Sequence, residues 1–167
     1  MEINLTQKER MLLEDQKSHE QICIEKYSNY ANQTNDNELK QICNANGQTE
    51  KNHLDSINQL LSGSIPNVNQ NQSQNQNQNT MQNAGSNQSV AQSASGTQSA
   101  ASDLSDKDMC SDLLMTEKYV SGAYDTAIFE FGDIEVRDVL NHIQKEEQKH
   151  GESIFKYMEK KGMYNPK

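Results

Sequence analysis

The sequence predicts an all-α protein, an antiparallel four-helix bundle made of two duplicated helical hairpins with a long disordered linker between them. Three observations carry this. Apolar residues recur at three-four spacing in four segments. A polar tract without charge or aromatic side chains separates the first two segments from the last two. The two flanking halves also align with each other, without a gap, at an offset of 97 residues.

In the first segment the stripe runs through Leu13, Gln16, Glu20, Cys23 or Ile24, Tyr27, and Tyr30 or Ala31. The second follows Leu39, Ile42 or Cys43, Asn46, Glu50, His53, Ile57, and Leu60 or Leu61. The third takes Cys110, Leu113, Glu117, Val120, Tyr124, Ala127 or Ile128, and Phe131; the fourth takes Val136, Val139 or Leu140, Ile143, Glu147, His150, Ile154 and Tyr157. Gln33-Thr34-Asn35 breaks the first pair, with Asp36 as the expected N-cap of the second helix. Gly132 breaks the second pair, with Asp133 in the same role. Connections this short make each pair antiparallel.

Residues 62–102 contain no charged and no aromatic residue and are mostly Asn, Gln, Ser and Ala, including the run NQNQSQNQNQNTMQN. Such a segment cannot bury enough apolar surface to offset chain entropy, so disorder is expected. A flexible coil of 41 residues spans about 35 Å end to end, enough to run the length of a bundle. It reads as a tether, or as a self-associating Asn/Gln tract with a role in assembly. The expected organisation is a first hairpin at 1–61, the linker at 62–102 and a second hairpin at 103–167, both hairpins forming one bundle.

Composition excludes several classes. The 167 residues carry a net charge of −9, the wrong sign for phosphate binding, so no nucleic-acid partner is expected. No apolar run approaches a membrane span, and no membrane partner is expected. The N-terminal MEINLTQKER lacks the apolar core of a signal peptide. Three cysteines (Cys23, Cys43 and Cys110) are odd in number and lack C-x-x-C spacing. They read as buried reduced thiols, although Cys23 and Cys43 fall on facing helices and could pair in an oxidising setting.

The chemistry lies in one pattern stated twice. Glu20 is followed by Glu50 and His53; Glu117 is followed at identical separations by Glu147 and His150. The 97-residue offset also matches Tyr27, Asp36, Glu38, Asn44, Ser56 and Ile57 with Tyr124, Asp133, Glu135, Asn141, Ser153 and Ile154, which reads as an internal duplication. Each Glu pair is symmetric about its turn, and about 22 Å from it, so its two members lie level on neighbouring helices. All six residues sit on the apolar stripes and point inward.

A Glu on one helix and Glu-x-x-His on the next, twice over, is the ligand set of a two-metal site in a bundle core. Four carboxylates balance two divalent cations, and mixed oxygen and nitrogen donors suit two Fe or Mn ions, with Zn also able to bind. The plainer reading is a solvated face on charged helices, given Lys145, Glu146 and Glu152 beside the motif. His19 falls off the stripe and reads as solvated; His142 reads as an exposed helix pair with Glu146. Tyr27 and Tyr124 read as core packing in preference to redox centres.

Met115-Thr116-Glu117-Lys118-Tyr119, the stretch from Ile143 through Glu146-Glu147, and Met158-Glu159-Lys160-Lys161-Gly162-Met163-Tyr164 make the second hairpin resemble the coat F family of bacterial endospore coat proteins. The first hairpin resembles the same unit more loosely. The resemblance implies a ferritin-like bundle and a structural or accessory protein of the endospore coat. It further implies synthesis in the mother-cell cytoplasm and partners among other spore coat proteins, with a homo-oligomer compatible. It implies no catalytic activity and no catalytic residue.

The ligand pattern is instead similar to that of rubrerythrins, ferritins and manganese catalases. By position this makes Glu20 and Glu117 terminal carboxylates, Glu50 and Glu147 bridging ones, and His53 and His150 terminal imidazoles. It supports the alternative of a di-iron or di-manganese oxidoreductase that scavenges peroxide. The chain lacks the C-x-x-C module that supplies electrons in rubrerythrins, and the fifth helix of ferritins.

Overall fold

The structure, a computed structural model, describes residues 3–67 and 104–165. They form four helices: α1 (Gln7–Gln33), α2 (Asn37–Leu61), α3 (Asp106–Glu130) and α4 (Ile134–Lys160). Each begins on an oxygen-bearing side chain that accepts from otherwise unpaired amides of the first turn. Asp36 accepts from the amides of Glu38 and Leu39 at 2.8 and 3.2 Å, and Asp133 from those of Glu135 and Val136 at 2.8 and 3.3 Å. Both expected caps are therefore in place.

Thr6 and Glu9 close α1 reciprocally as a capping box. The Glu9 carboxylate also accepts from the amide of Gly132 at 3.1 Å, so the start of α1 is tied to the turn of the other hairpin. Both hairpins end alike. Gly63 (φ 90°) and Gly162 (φ 70°) take the left-handed conformation, and the next amide bonds five residues back, Ser64 to the Gln59 carbonyl at 2.9 Å and Met163 to the Met158 carbonyl at 2.8 Å.

The hairpins pack head to tail. Thr34, at the first turn, bonds Asp106 at the start of α3 at 2.7 Å, and Lys160, at the end of α4, reaches Glu38 at 2.9 Å. α1 therefore lies antiparallel to α3, and α2 antiparallel to α4. α2 ends beside the N-terminus, where the amide of Ile3 bonds the Gly63 carbonyl at 3.0 Å. α3 begins at the opposite end of the bundle, roughly 40 Å away for helices of this length. Most of the expected linker at 62–102 lies outside the described residues. Its first residues stay on the bundle, with Ile65 packed against the core and Pro66 buried.

Packing decides the alternatives left open by periodicity: Cys23, Ala31, Cys43, Leu60 and Ala127 are the buried members of their pairs, while Val139 and Leu140 are both buried. All three cysteines are buried free thiols. The apolar core falls into two clusters, one including Leu13, Leu60, Ala127 and Leu140, the other Ala31, Leu39, Leu113 and Ile154. Between them sits a polar layer. Among the described residues, no helix is long and apolar enough to cross a membrane.

Candidate metal centre

The polar layer is made of the six residues of the repeated pattern. Glu20 and Glu117 come from α1 and α3, Glu50 with His53 from α2, and Glu147 with His150 from α4. None is more than 4 % exposed. Their donor atoms form two groups, Glu20, Glu50, His53 and Glu147, and Glu50, Glu117, Glu147 and His150, each with ligand atoms within 4.8 Å of one another. Glu50 and Glu147 belong to both groups, as the duplicated pattern requires of shared carboxylates.

The spacing is informative. His53 Nδ1 lies 3.0 Å from Glu147, 3.2 Å from Glu50 and 3.5 Å from Glu20. His150 Nδ1 lies 3.0 Å from Glu50, 3.6 Å from Glu147 and 3.7 Å from Glu117. Yet one oxygen each of Glu20, Glu50 and Glu117, both oxygens of Glu147 and Nδ1 of His150 have no hydrogen-bond partner. The atoms are near enough to bond but not aligned to do so; their lone pairs converge on shared space. Two donors held at about 2.1 Å from one cation, at right to tetrahedral angles, lie roughly 3.0 to 3.4 Å apart, close to the spacing seen here. Buried polar atoms are ordinarily paired, so six orphans in one layer fit a group that accepts from all of them at once.

Burial pushes Glu20 well above the usual carboxylate range despite His53 beside it, and pushes Glu117 up to about 8. It also acts on Glu50 and Glu147, but the imidazoles of His150 and His53 outweigh it and hold both below the ordinary value. Burial alone would lower the two histidines; the surrounding carboxylates, Glu146 foremost at His53 and Glu117 at His150, raise both. Four clustered carboxylates in a buried layer need positive charge or protons beside them, and the two imidazoles supply part of it. Two divalent cations would balance four carboxylates and displace those protons.

Two tyrosines cross between the hairpins. The Tyr27 hydroxyl donates to Glu117 and the Tyr124 hydroxyl to Glu20, a reciprocal exchange that follows the internal duplication. Asn46 donates to the Tyr27 hydroxyl and to Ser153 Oγ, each at 3.2 Å. These side chains pack in the core, as expected, and also orient the carboxylates of Glu117 and Glu20.

A family model for the Coat F domain matches residues 105–167, from the N-cap of α3 through α4. The second hairpin is similar to the Coat F domain. A relative from Bacillus subtilis (strain 168), the uncharacterized protein YusN, is 34% identical over 64 residues, covering 38% of this chain and 58% of the relative. The chain thus spans a little over half the length of that curated relative. No solved structure matches.

The second hairpin supplies Glu117, Glu147 and His150, half of the cluster, and one residue that the pattern did not single out. Glu146 reaches across to α2, where its carboxylate sits 3.0 Å from His53 Nε2. It also pairs with His142 at 3.4 Å, and both members are half-buried where an exposed pair was expected. An imidazole bonded at Nε2 presents Nδ1 in a fixed orientation, the arrangement by which an outer carboxylate orients a metal ligand. The position equivalent to Glu146 in the first hairpin is Thr49, whose hydroxyl bonds the Ala45 carbonyl at 3.3 Å and does not reach His150. His19 is half-buried where solvation was expected, with Nδ1 3.3 Å from Gln16 Oε1 and its ring edge-on to Tyr119.

Proposed function

We propose that the protein is a structural or accessory component of the bacterial endospore coat whose bundle core holds two divalent cations, Fe or Mn. The ligands are Glu20, Glu50, His53, Glu117, Glu147 and His150, with Glu50 and Glu147 bridging. The coat assignment is supported by the Coat F match to the second hairpin. The observation that carries the metal reading is the layer of six buried donor atoms that lie near one another without hydrogen-bond partners.

In this reading the protein is made in the mother-cell cytoplasm and laid down on the spore among other coat proteins. The cations would supply cross-links between the hairpins, each drawing ligands from both. The chain's own residues hold the carboxylates in register through Tyr27 and Tyr124 and exclude water with the apolar clusters above and below. Metal analysis of the purified protein is expected to find close to two Fe or Mn per chain, falling sharply in Glu50→Ala, since Glu50 serves both positions. Protein that stays metal-free after incubation with either ion would retire the metal reading. A fluorescent fusion in sporulating cells should collect at the spore surface; diffuse signal would retire the coat assignment.

A second reading, a di-iron or di-manganese oxidoreductase consuming peroxide, is supported by an open groove that reaches Glu117 and Glu147. It requires peroxide consumption above that of the free metal.

A further inference from the structure

The two hairpins are alike in ligands but not in how they cover them. On the outer face of the second, between α3 and α4, lies an open groove of about 770 Å³ that includes Glu117 and Glu147 among its lining residues. Its walls stand apart because three residues are small: Ser121, Gly122 and Gly151. The 97-residue offset places Ile24, Glu25 and Leu54 at the corresponding positions of the first hairpin. Ile24 and Leu54 are half-buried there, filling the seam between α1 and α2. Glycines inside α3 and α4 lower helix propensity, yet a side chain would fit at either: a Cβ on Gly122 meets nothing within 4 Å, and one on Gly151 meets only Leu114 at 3.8 Å. Close packing therefore does not demand them; an open seam does.

We infer that the α3–α4 groove is the port through which divalent cations reach the cluster, and that Ser121, Gly122 and Gly151 keep it open. The inference rests on the metal reading above. Its chemistry suits a partly hydrated cation. Asp125 and the amide groups of Gln144 and Gln148 line the wall, and the floor carries two carboxylates common to the ligand set. Gln144 braces the seam by donating to the Ser121 carbonyl at 3.0 Å. Asp125, Glu147 and Glu152 outnumber the one lysine of the groove, Lys118, and a cleft lined mainly by one sign of charge concentrates ions of the other.

The test fills the seam, in one variant with the first hairpin's own residues and in another with a bulky side chain at Gly122. Ser121→Ile with Gly151→Leu, and separately Gly122→Leu, should narrow the groove without touching a ligand. Cobalt(II) loading followed by visible absorption, and removal by EDTA, are each expected to slow at least tenfold, while the final metal count and the affinity stay as in the parent. Slowing both directions by one factor is the signature of a blocked path; damage to the ligands would change affinity or stoichiometry. Helical circular dichroism identifies the variants that fold, and either one suffices. A folded variant that loads and releases cobalt at the parent's rate overturns the port. If the parent itself takes up no cobalt, manganese or iron, the metal reading fails first, and the port with it.

Discussion

His53 Nε2 lies 3.0 Å from the carboxylate of Glu146, a contact between α2 and α4 that the other imidazole, His150, does not have. The duplicated ligands thus sit in unequal surroundings. One histidine is oriented from behind by a carboxylate that His142 also approaches; for the other, the equivalent position is Thr49, whose hydroxyl is bonded to the Ala45 carbonyl. In the proposed metal reading the two positions are predicted to differ in affinity, the one containing His53 filling first.

Glu146→Ala is accordingly expected to weaken the tighter of two binding steps by about 10- to 100-fold, with the count at saturation unchanged. Thr49→Ala should leave both steps as they are. Calorimetric titration with manganese distinguishes the two outcomes.

Tyr27→Phe removes the hydroxyl that donates to Glu117 and accepts from Asn46. Leaving buried polar atoms without their partner costs about 1 to 3 kcal/mol. Tyr124→Phe should cost less, because the position equivalent to Asn46 is Ile143 and no second polar group is stranded. Urea denaturation of chelator-treated protein gives both values.

Glycines in helix interiors provide a matched pair. A Cβ at Gly47 would stand 3.1 Å from the Cβ of Tyr27, whose ring is held at its far end by two hydrogen bonds and cannot retreat. Gly47→Ala should therefore force α1 and α2 apart and destabilise by about 1 to 3 kcal/mol. Gly122→Ala meets no neighbour and should stabilise by roughly 0.5 to 1 kcal/mol through helix propensity. Thermal unfolding of the two variants is expected to move in opposite directions.

Asp36 caps α2 and pairs with Lys161 at 2.6 Å. The Lys161 ammonium and the Leu39 amide hold its carboxyl at about 2, below its ordinary value. A depressed carboxylate contributes stability above its unfolded pKa, and the contribution is lost as pH falls through the folded one. Asp36→Asn keeps the capping oxygen but loses the charge. The variant should unfold at lower urea than the parent at neutral pH, with the gap closing as pH drops from about 4 toward 2.

Much of this was legible because two periods coincide. Helical spacing put Glu20, Glu50, His53, Glu117, Glu147 and His150 on buried stripes, and the internal repeat put them level; the structure brings all six into one layer. Asp36 and Asp133 were legible from cap chemistry alone. The choice between Cys23 and Ile24 was not, since neighbours on a helix flank the same stripe and only the rotation of α1 against α3 decides which turns inward. Glu146 was hidden for the same reason: beside Lys145 on a charged helix, nothing local reveals that it meets His53 across the bundle. The groove had a signal that went unused, the pairing of Ser121 and Gly151 with Ile24 and Leu54 in the repeat.

In the proposed metal reading, the reciprocal tyrosines and shared carboxylates leave neither hairpin with a complete coordination sphere of its own. Each brings three donors and needs its counterpart for the rest, so occupancy by an ion certifies that the halves have found one another. A chain bearing a single such hairpin could satisfy the same requirement only by meeting a twin, and the covalent tether here turns that encounter from a bimolecular event into an internal one.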